Sequence, residues 1–211
     1  NDDAIEAWNT VLFDKFMRFR ACVVNGLGAH GKEMCARHTP RSGERLLDVG
    51  CGFGDTTLEL AALVGASGVA TGVDAAARFI DYATREATRL SVTNARYAVA
   101  DVQSDPLGGP YDRAYSRFGT MFFASPVAAL RGIRKSLLPG GSLHMVVWRR
   151  KDENACFWEP EQRVLALVPP PDKGDQVTCG PGPFSMASPD LVSAQLIAAG
   201  FVRPIFERVD L

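Results

Sequence analysis

Residues 45–57 read RLLDVGCGFGDTT, from Arg45 to Thr57. Leu46, Leu47 and Val49 form the short apolar run that a buried strand needs, and Gly50, Gly52 and Gly54 follow at once. Glycines at alternate positions after a strand predict a sharp turn into a helix beginning near Asp55. With no side chains in the way, a ligand can approach bare backbone there, and the free N–H groups of the first helical turn face the same space. Dinucleotide sites use the same device, with the fingerprint GxGxxG. The third glycine would fall at position 55, where Asp55 instead puts a carboxylate that repels a pyrophosphate. No GxxxxGK[ST] phosphate loop occurs.

The rest of the chain bounds the reading. Its 211 residues are 46% apolar, enough for one substantial core. A net charge of -1 and a pI near 6.4 leave no basic footprint for a nucleic-acid backbone. Five cysteines, Cys22, Cys35, Cys51, Cys156 and Cys179, are odd in number and lack a CxxC, which fits reduced thiols in a cytoplasm better than disulfides or a zinc site. No apolar run reaches the length of a membrane span and no signal peptide opens the chain. No metal site is expected.

Before the glycine stretch, Ile5, Trp8, Leu12, Phe16 and Phe19 recur at helical spacing from Asp2 to about Arg20, with Asp14 and Arg18 placed for an i,i+4 pair. His30 and His38 lie in a second, weaker helical stretch, and each reads first as a surface or capping residue. After it, Leu58 to Val64 is a buried helix, and Gly68 to Val73 a strand closing on Asp74. Asp74 follows Gly54 by 20 residues, the spacing of a strand-tip carboxylate that accepts from two ribose hydroxyls. The plainer reading is a cap for the helix Ala75 to Leu90, and one residue can do both. Ala95 to Ala100 is a third strand, again ending in an acid, Asp101. Two acids on successive strand tips suit a ligand lying across the carboxyl ends of parallel strands.

Tyr111 to Ser116 is a fourth strand, followed by RFGTMFFASP. Ser125 and Pro126 start a helix that runs to Leu138, and LLPGGSLHMVVW is the fifth strand. His144 alternates with Leu143 and Met145, so packing is its plain reading. Phe157 to Val168 is a helix, Pro169 to Pro183 a proline- and glycine-rich segment suited to a loop over the site, Ser188 to Gly200 the last helix and Phe201 to Val209 a sixth strand.

Together these segments resemble the class I S-adenosylmethionine-dependent methyltransferases, of the small-molecule type related to ubiquinone and menaquinone biosynthesis. Asp48 stands two positions before GxGxG, as in their first motif. The likeness covers roughly Arg45 to Val209 and is strongest at the glycine loop and from RFGTMFF to LPGGSLHMVVW. It implies an α/β Rossmann-like fold, a mostly parallel sheet flanked by helices. Residues 1–40 would be an N-terminal helical addition that covers the cofactor and shapes the acceptor pocket, and 41–211 the S-adenosylmethionine-binding domain. The family's sheet has a seventh, antiparallel strand between strands five and six. No segment remains here to supply it, so the natural chain is expected to be longer.

The resemblance also implies site roles. Asp48, Gly50, Cys51 and Gly52 would form the cofactor loop, Asp74 would meet the ribose and Asp101 and Val102 the adenine, with Ala75 and Phe79 also among the cofactor-binding residues. Backbone near Ser116 would meet the methionine ammonium, with Phe118, Met121 and Phe122 walling the reaction centre; aromatic faces suit a sulfonium. Core packing is the rival for Phe122 and Phe123. The expected reaction is methyl transfer to an O, N or C atom of a small organic acceptor, mainly by proximity, leaving S-adenosylhomocysteine. A base is required only if the acceptor must lose a proton; His30, His38, Arg117 and His144 are the polar candidates. Two rivals remain: a non-catalytic S-adenosylmethionine-binding or scaffold protein, and an NAD-dependent oxidoreductase. No nucleic-acid partner is expected, and homodimerisation is open.

Overall fold

The computed structural model describes residues 1–168 and 180–211. Five parallel strands form its sheet in the order β3-β2-β1-β4-β5: β1 (Arg45–Val49), β2 (Val69–Asp74), β3 (Ala95–Val99), β4 (Tyr111–Arg117) and β5 (Leu137–Val146). The order reverses at β1, so the crevice lies beyond the carboxyl ends of β1 and β4. Leu46, Leu47 and Val49 are fully buried, as a strand covered on both faces requires.

Alternation along β1 divides the core. Leu46, Ala70 and Tyr115 face Met34 and Cys35 of α3 (Arg20–Arg37) and Leu60, Ala61 and Val64 of α4 (Asp55–Val64). Leu47, Val49, Val73 and Ala114 face α6 (Pro126–Ser136) and α8 (Pro189–Ala199), through Leu130, Ile133, Val192 and Leu196. Between α4 and α6 in the chain, α5 (Ala77–Arg89) packs along β2 and β3. The last helix obeys its local signals: the Ser188 hydroxyl accepts from the Leu191 N–H, and Gly200 closes the helix in the left-handed conformation.

The N-terminal stretch is helical from Asp2 to Arg18, as its spacing predicts, with a π turn inside it. It comprises α1 (Asp2–Ala7), a π-helical turn (Trp8–Leu12) and α2 (Phe13–Arg18), followed directly by α3, an 18-residue helix where the sequence shows only weak amphipathicity. Asp14 pairs with Arg78 of α5 at 2.8 Å rather than with Arg18. A tertiary partner on α5 takes the carboxylate, and Arg18 lies over the Phe19 ring instead.

The expected sixth strand is absent: residues 201–209 form no ladder. Arg203 has φ 54°, outside the extended region, and Pro204 has no N–H to donate. A cavity of about 850 Å³ separates this segment from β5. Among the described residues β5 pairs only with β4. The helix expected over 157–168 is α7 (Ala155–Leu165), and none of its residues is buried. The loop expected over 169–183 lies outside the described residues as far as 179.

Candidate active site

The three glycines of the opening stretch have different reasons to be there. A Cβ on Gly50 would lie 2.9 Å from the Gly119 Cα, so the loops after β1 and β4 touch backbone to backbone. A Cβ on Gly54 would meet Ala83 at 2.7 Å and the Tyr97 hydroxyl at 2.8 Å. Gly52 alone of the three faces room, with only a Phe79 ring carbon 3.9 Å from its added Cβ. Gly52 is thus the glycine a ligand can approach. Its N–H donates to Asp74 Oδ2 at 3.0 Å, which ties the loop to the tip of β2.

Neighbouring strand tips carry the predicted carboxylates. Asp74 Oδ1 accepts from the Ala76 N–H at 3.0 Å. Burial pushes its pKa up, and the N–H groups of Ala76 and Gly52 pull the other way. One strand further, Asp101 accepts from the backbone N–H and side-chain amide of Gln103, and from the Asn1 side chain. Although burial opposes its charge, these bonds hold its pKa below the ordinary carboxylate range. Val102 and Phe79 are buried beside these tips, and Ala75 lies between Asp74 and the first residues of α5.

Asp48 does something else. Its carboxylate is buried and accepts from the Thr57 hydroxyl at 2.6 Å, so it joins β1 to α4. Burial raises its pKa to about 6, against the Thr57 bond and the Arg117 charge. Thr57, nine residues on, was not singled out in the sequence; the polar run DTT at the start of an otherwise apolar helix was the available signal. Cys51 is a buried thiol whose pKa burial raises well above the ordinary value, so it stays neutral. The fully buried Ser116 spends its hydroxyl on the Val49 carbonyl, 2.8 Å away, bracing β4 to β1. Asp55, read as a bare carboxylate at the helix start, is paired with Arg20 of α3 at 2.8 Å.

Aromatic residues of the N-terminal helices gather around Phe79, beside the glycine loop. Trp8 packs edge-on to Phe79 and Phe122, 6.3 and 5.2 Å between ring centres, and Phe13 meets Phe79 at 4.9 Å. Phe118, held at φ 58° while its N–H donates to the Val146 carbonyl, stacks on Trp148 at 4.3 Å and 17°.

The four polar candidates separate. His38 and His144 stack on each other at 4.2 Å above Tyr115, whose hydroxyl donates to the His38 carbonyl. His144 also shares a hydrogen bond with Ser142 at 2.8 Å, and burial, then His38 and Arg113, depress its pKa to about 4. That pair lies on the α3 face of the sheet and lines the cavity beside β5. His30 instead sits edge-on to both Phe118 and Trp148, each at 5.3 Å, at the carboxyl end of β5. Arg117 lies along α3, where a Cβ on Gly31 would come within 3.0 Å of its Cδ.

Residues 46–141 match the family model described as a methyltransferase domain. Over 116 residues, 54% of the chain, it is 31% identical to the aklanonic acid methyltransferase DauC of a Streptomyces species. The chain spans about half the length of the curated relatives it matches. The chain superposes on a SAM-dependent methyltransferase from Aquifex aeolicus with a TM-score of 0.61, at 20% identity, covering 81% of this chain and 78% of that one. The [4+2]-cyclase SpnF superposes with a TM-score of 0.59 at 23% identity, covering 82% of this chain and 57% of that one. At these identities the likeness is one of fold. No helix among the described residues is long and apolar enough to cross a membrane.

Proposed function

We propose that the chain binds S-adenosylmethionine at the tips of β1, β2 and β3 and transfers its methyl group to an O, N or C atom of a small organic acceptor. One observation carries the cofactor reading: the open Gly52 backbone is tied to Asp74. A carboxylate that already accepts two N–H bonds retains lone pairs for ribose hydroxyls, so the residues present fit the donor. Asp101 would take the adenine amino group, with Val102 and Phe79 flanking the ring. Backbone of Gly50, Cys51 and Ser116 would line the amino-acid tail, with Ala75 at the ribose edge and Phe118 beside the sulfonium. Asp48 acts from behind, holding Thr57 and so the start of α4.

When bound, S-adenosylmethionine supplies a methyl group already activated by the positive sulfur. The chain's part is alignment and exclusion of water. Residues 1–40 would cover the crevice through Trp8 and Phe13 and shape the acceptor pocket, over a domain spanning 41–211. The name of the relative DauC supports a small-molecule acceptor. The unpaired thiols Cys35 and Cys51 suit a reducing compartment such as the cytoplasm.

Calorimetry with S-adenosylmethionine and with NAD side by side, followed by labelled methyl transfer to a panel of small acceptors, tests this reading. Binding of the methyl donor and labelled product support it. SpnF favours a second reading, in which the fold serves a different chemistry, and donor binding without transfer to any acceptor would point there. Binding of NAD alone would overturn both.

A further inference from the structure

The aromatic residues around His30 suggest what the acceptor is and how it loses a proton. Phe118 and Trp148 stack at 4.3 Å, Phe157 stands edge-on to Trp148 at 5.0 Å, and Phe184 edge-on to Phe157 at 5.5 Å. Trp148 is half-buried and Phe157 exposed. Such an open set of ring faces and edges recognises flat aromatic compounds.

His30 is the one imidazole among these rings. Nδ1 is sealed from solvent. Of the two ring nitrogens, this leaves Nε2 to meet a ligand. The charged neighbour is Arg117 from the end of β4, lying across Gly28 and Gly31 on either side of His30 in α3. Burial lowers the imidazole pKa, the Gly26 carbonyl one turn back opposes this, and Arg117 lowers it further. Near neutral pH the ring is therefore uncharged and able to accept a proton.

Building on the methyl-transfer reading above, we propose that the acceptor is a hydroxylated aromatic compound and that His30 is the catalytic residue that takes its hydroxyl proton. As the oxygen forms its bond to the methyl carbon, the carbon–sulfur bond breaks and its electron pair stays on sulfur, leaving a neutral thioether. The O–H proton passes to His30 and then to water. Arg117 favours the developing negative oxygen and disfavours a lasting imidazolium. This adds a proton-transfer group to the alignment of donor and acceptor, where general-base catalysis contributes roughly 10²–10⁴ in rate.

An acceptor that is already ionised needs no base, and this separates the roles. Methyl transfer to 2-naphthol and to 2-naphthoic acid would be measured for the wild type, His30→Ala and His30→Gln, with donor affinity by calorimetry as the control. The proposal expects turnover of 2-naphthol to fall about 10²–10⁴-fold in both variants. Transfer to 2-naphthoate should change less than about threefold, and the acid limb of the naphthol pH profile should vanish. Equal losses on both acceptors, or no loss on naphthol, would overturn it. So would a wild type that methylates neither naphthol nor any other phenol in the panel. If the donor still binds and other acceptors are methylated, the methyl-transfer reading stands without this one.

Discussion

At Gly50 and Gly52 the same residue type answers two different demands. Both have positive φ, 67° and 51°, where a non-glycine residue costs roughly 1–2 kcal/mol. Gly50 has in addition the Gly119 backbone against it, whereas Gly52 faces only a ring carbon at 3.9 Å. Gly50→Ala is therefore expected to lower the melting temperature at least twice as much as Gly52→Ala. Gly52→Ala should leave a folded protein that binds S-adenosylmethionine about tenfold or more weakly, since the new methyl enters the ligand's space. Thermal melts and calorimetry on the two variants check both parts. The sequence already marked these glycines, but with one explanation for all three. The packing of Gly50 on Gly119 and of Gly54 on Ala83 belongs to residues far along the chain, which no local pattern could specify.

Among the elements, the N-terminal helices depend on a few rings. Phe13 is 7% exposed, packs on Phe53 and Phe79, and carries the Arg78 guanidinium 4.1 Å from its ring centre. Truncating such a ring costs about 3 kcal/mol. In Phe13→Ala that loss is expected first as detachment of residues 2–18. Limited proteolysis should cut this stretch well before the sheet core, and in the wild type the two should resist together. Helical spacing made these elements legible, and so did the Ser125–Pro126 and Ser188–Pro189 starts. The π turn at Trp8–Leu12 and the length of α3 were not, because contacts with α4, α5 and β5 decide them. Residues 201–209 show the opposite failure. Their apolar content suggested a strand, yet a strand needs a partner, and Arg203 and Pro204 deny the segment a regular ladder.

Over the molecule as a whole, two buried groups tie stability to pH with opposite signs. Burial raises the Asp48 pKa from 3.8 to about 6, so the folded state favours its protonated form. The resulting contribution, roughly 3 kcal/mol, is complete below pH 4 and is lost as pH rises through 6. For His144, depressed from 6.5 to about 4, the folded state favours the neutral ring. Its contribution is complete above pH 6.5 and is lost as pH falls through 4. Subtracting the denaturation free energy of Asp48→Asn from that of wild type at pH 4, 5, 6 and 7 should give a difference that falls with pH. The same subtraction for His144→Gln should give one that rises. A flat difference for either would show that the group is not held in the protonation state its burial demands.

By itself the sequence determined the parallel α/β arrangement, because apolar runs bounded by glycine and by strand-tip acids carry their own periodicity and turn chemistry. It also marked Asp74, Asp101 and Gly52, whose places at the carboxyl ends of neighbouring strands follow from short-range geometry. Only the tertiary structure decided that Asp48 turns inward to Thr57, that Arg20 covers Asp55, and that His30 rather than His38 or His144 stands among Phe118 and Trp148. Those outcomes depend on which elements meet across the sheet, and a side chain's partner there is set by residues that no local spacing connects to it.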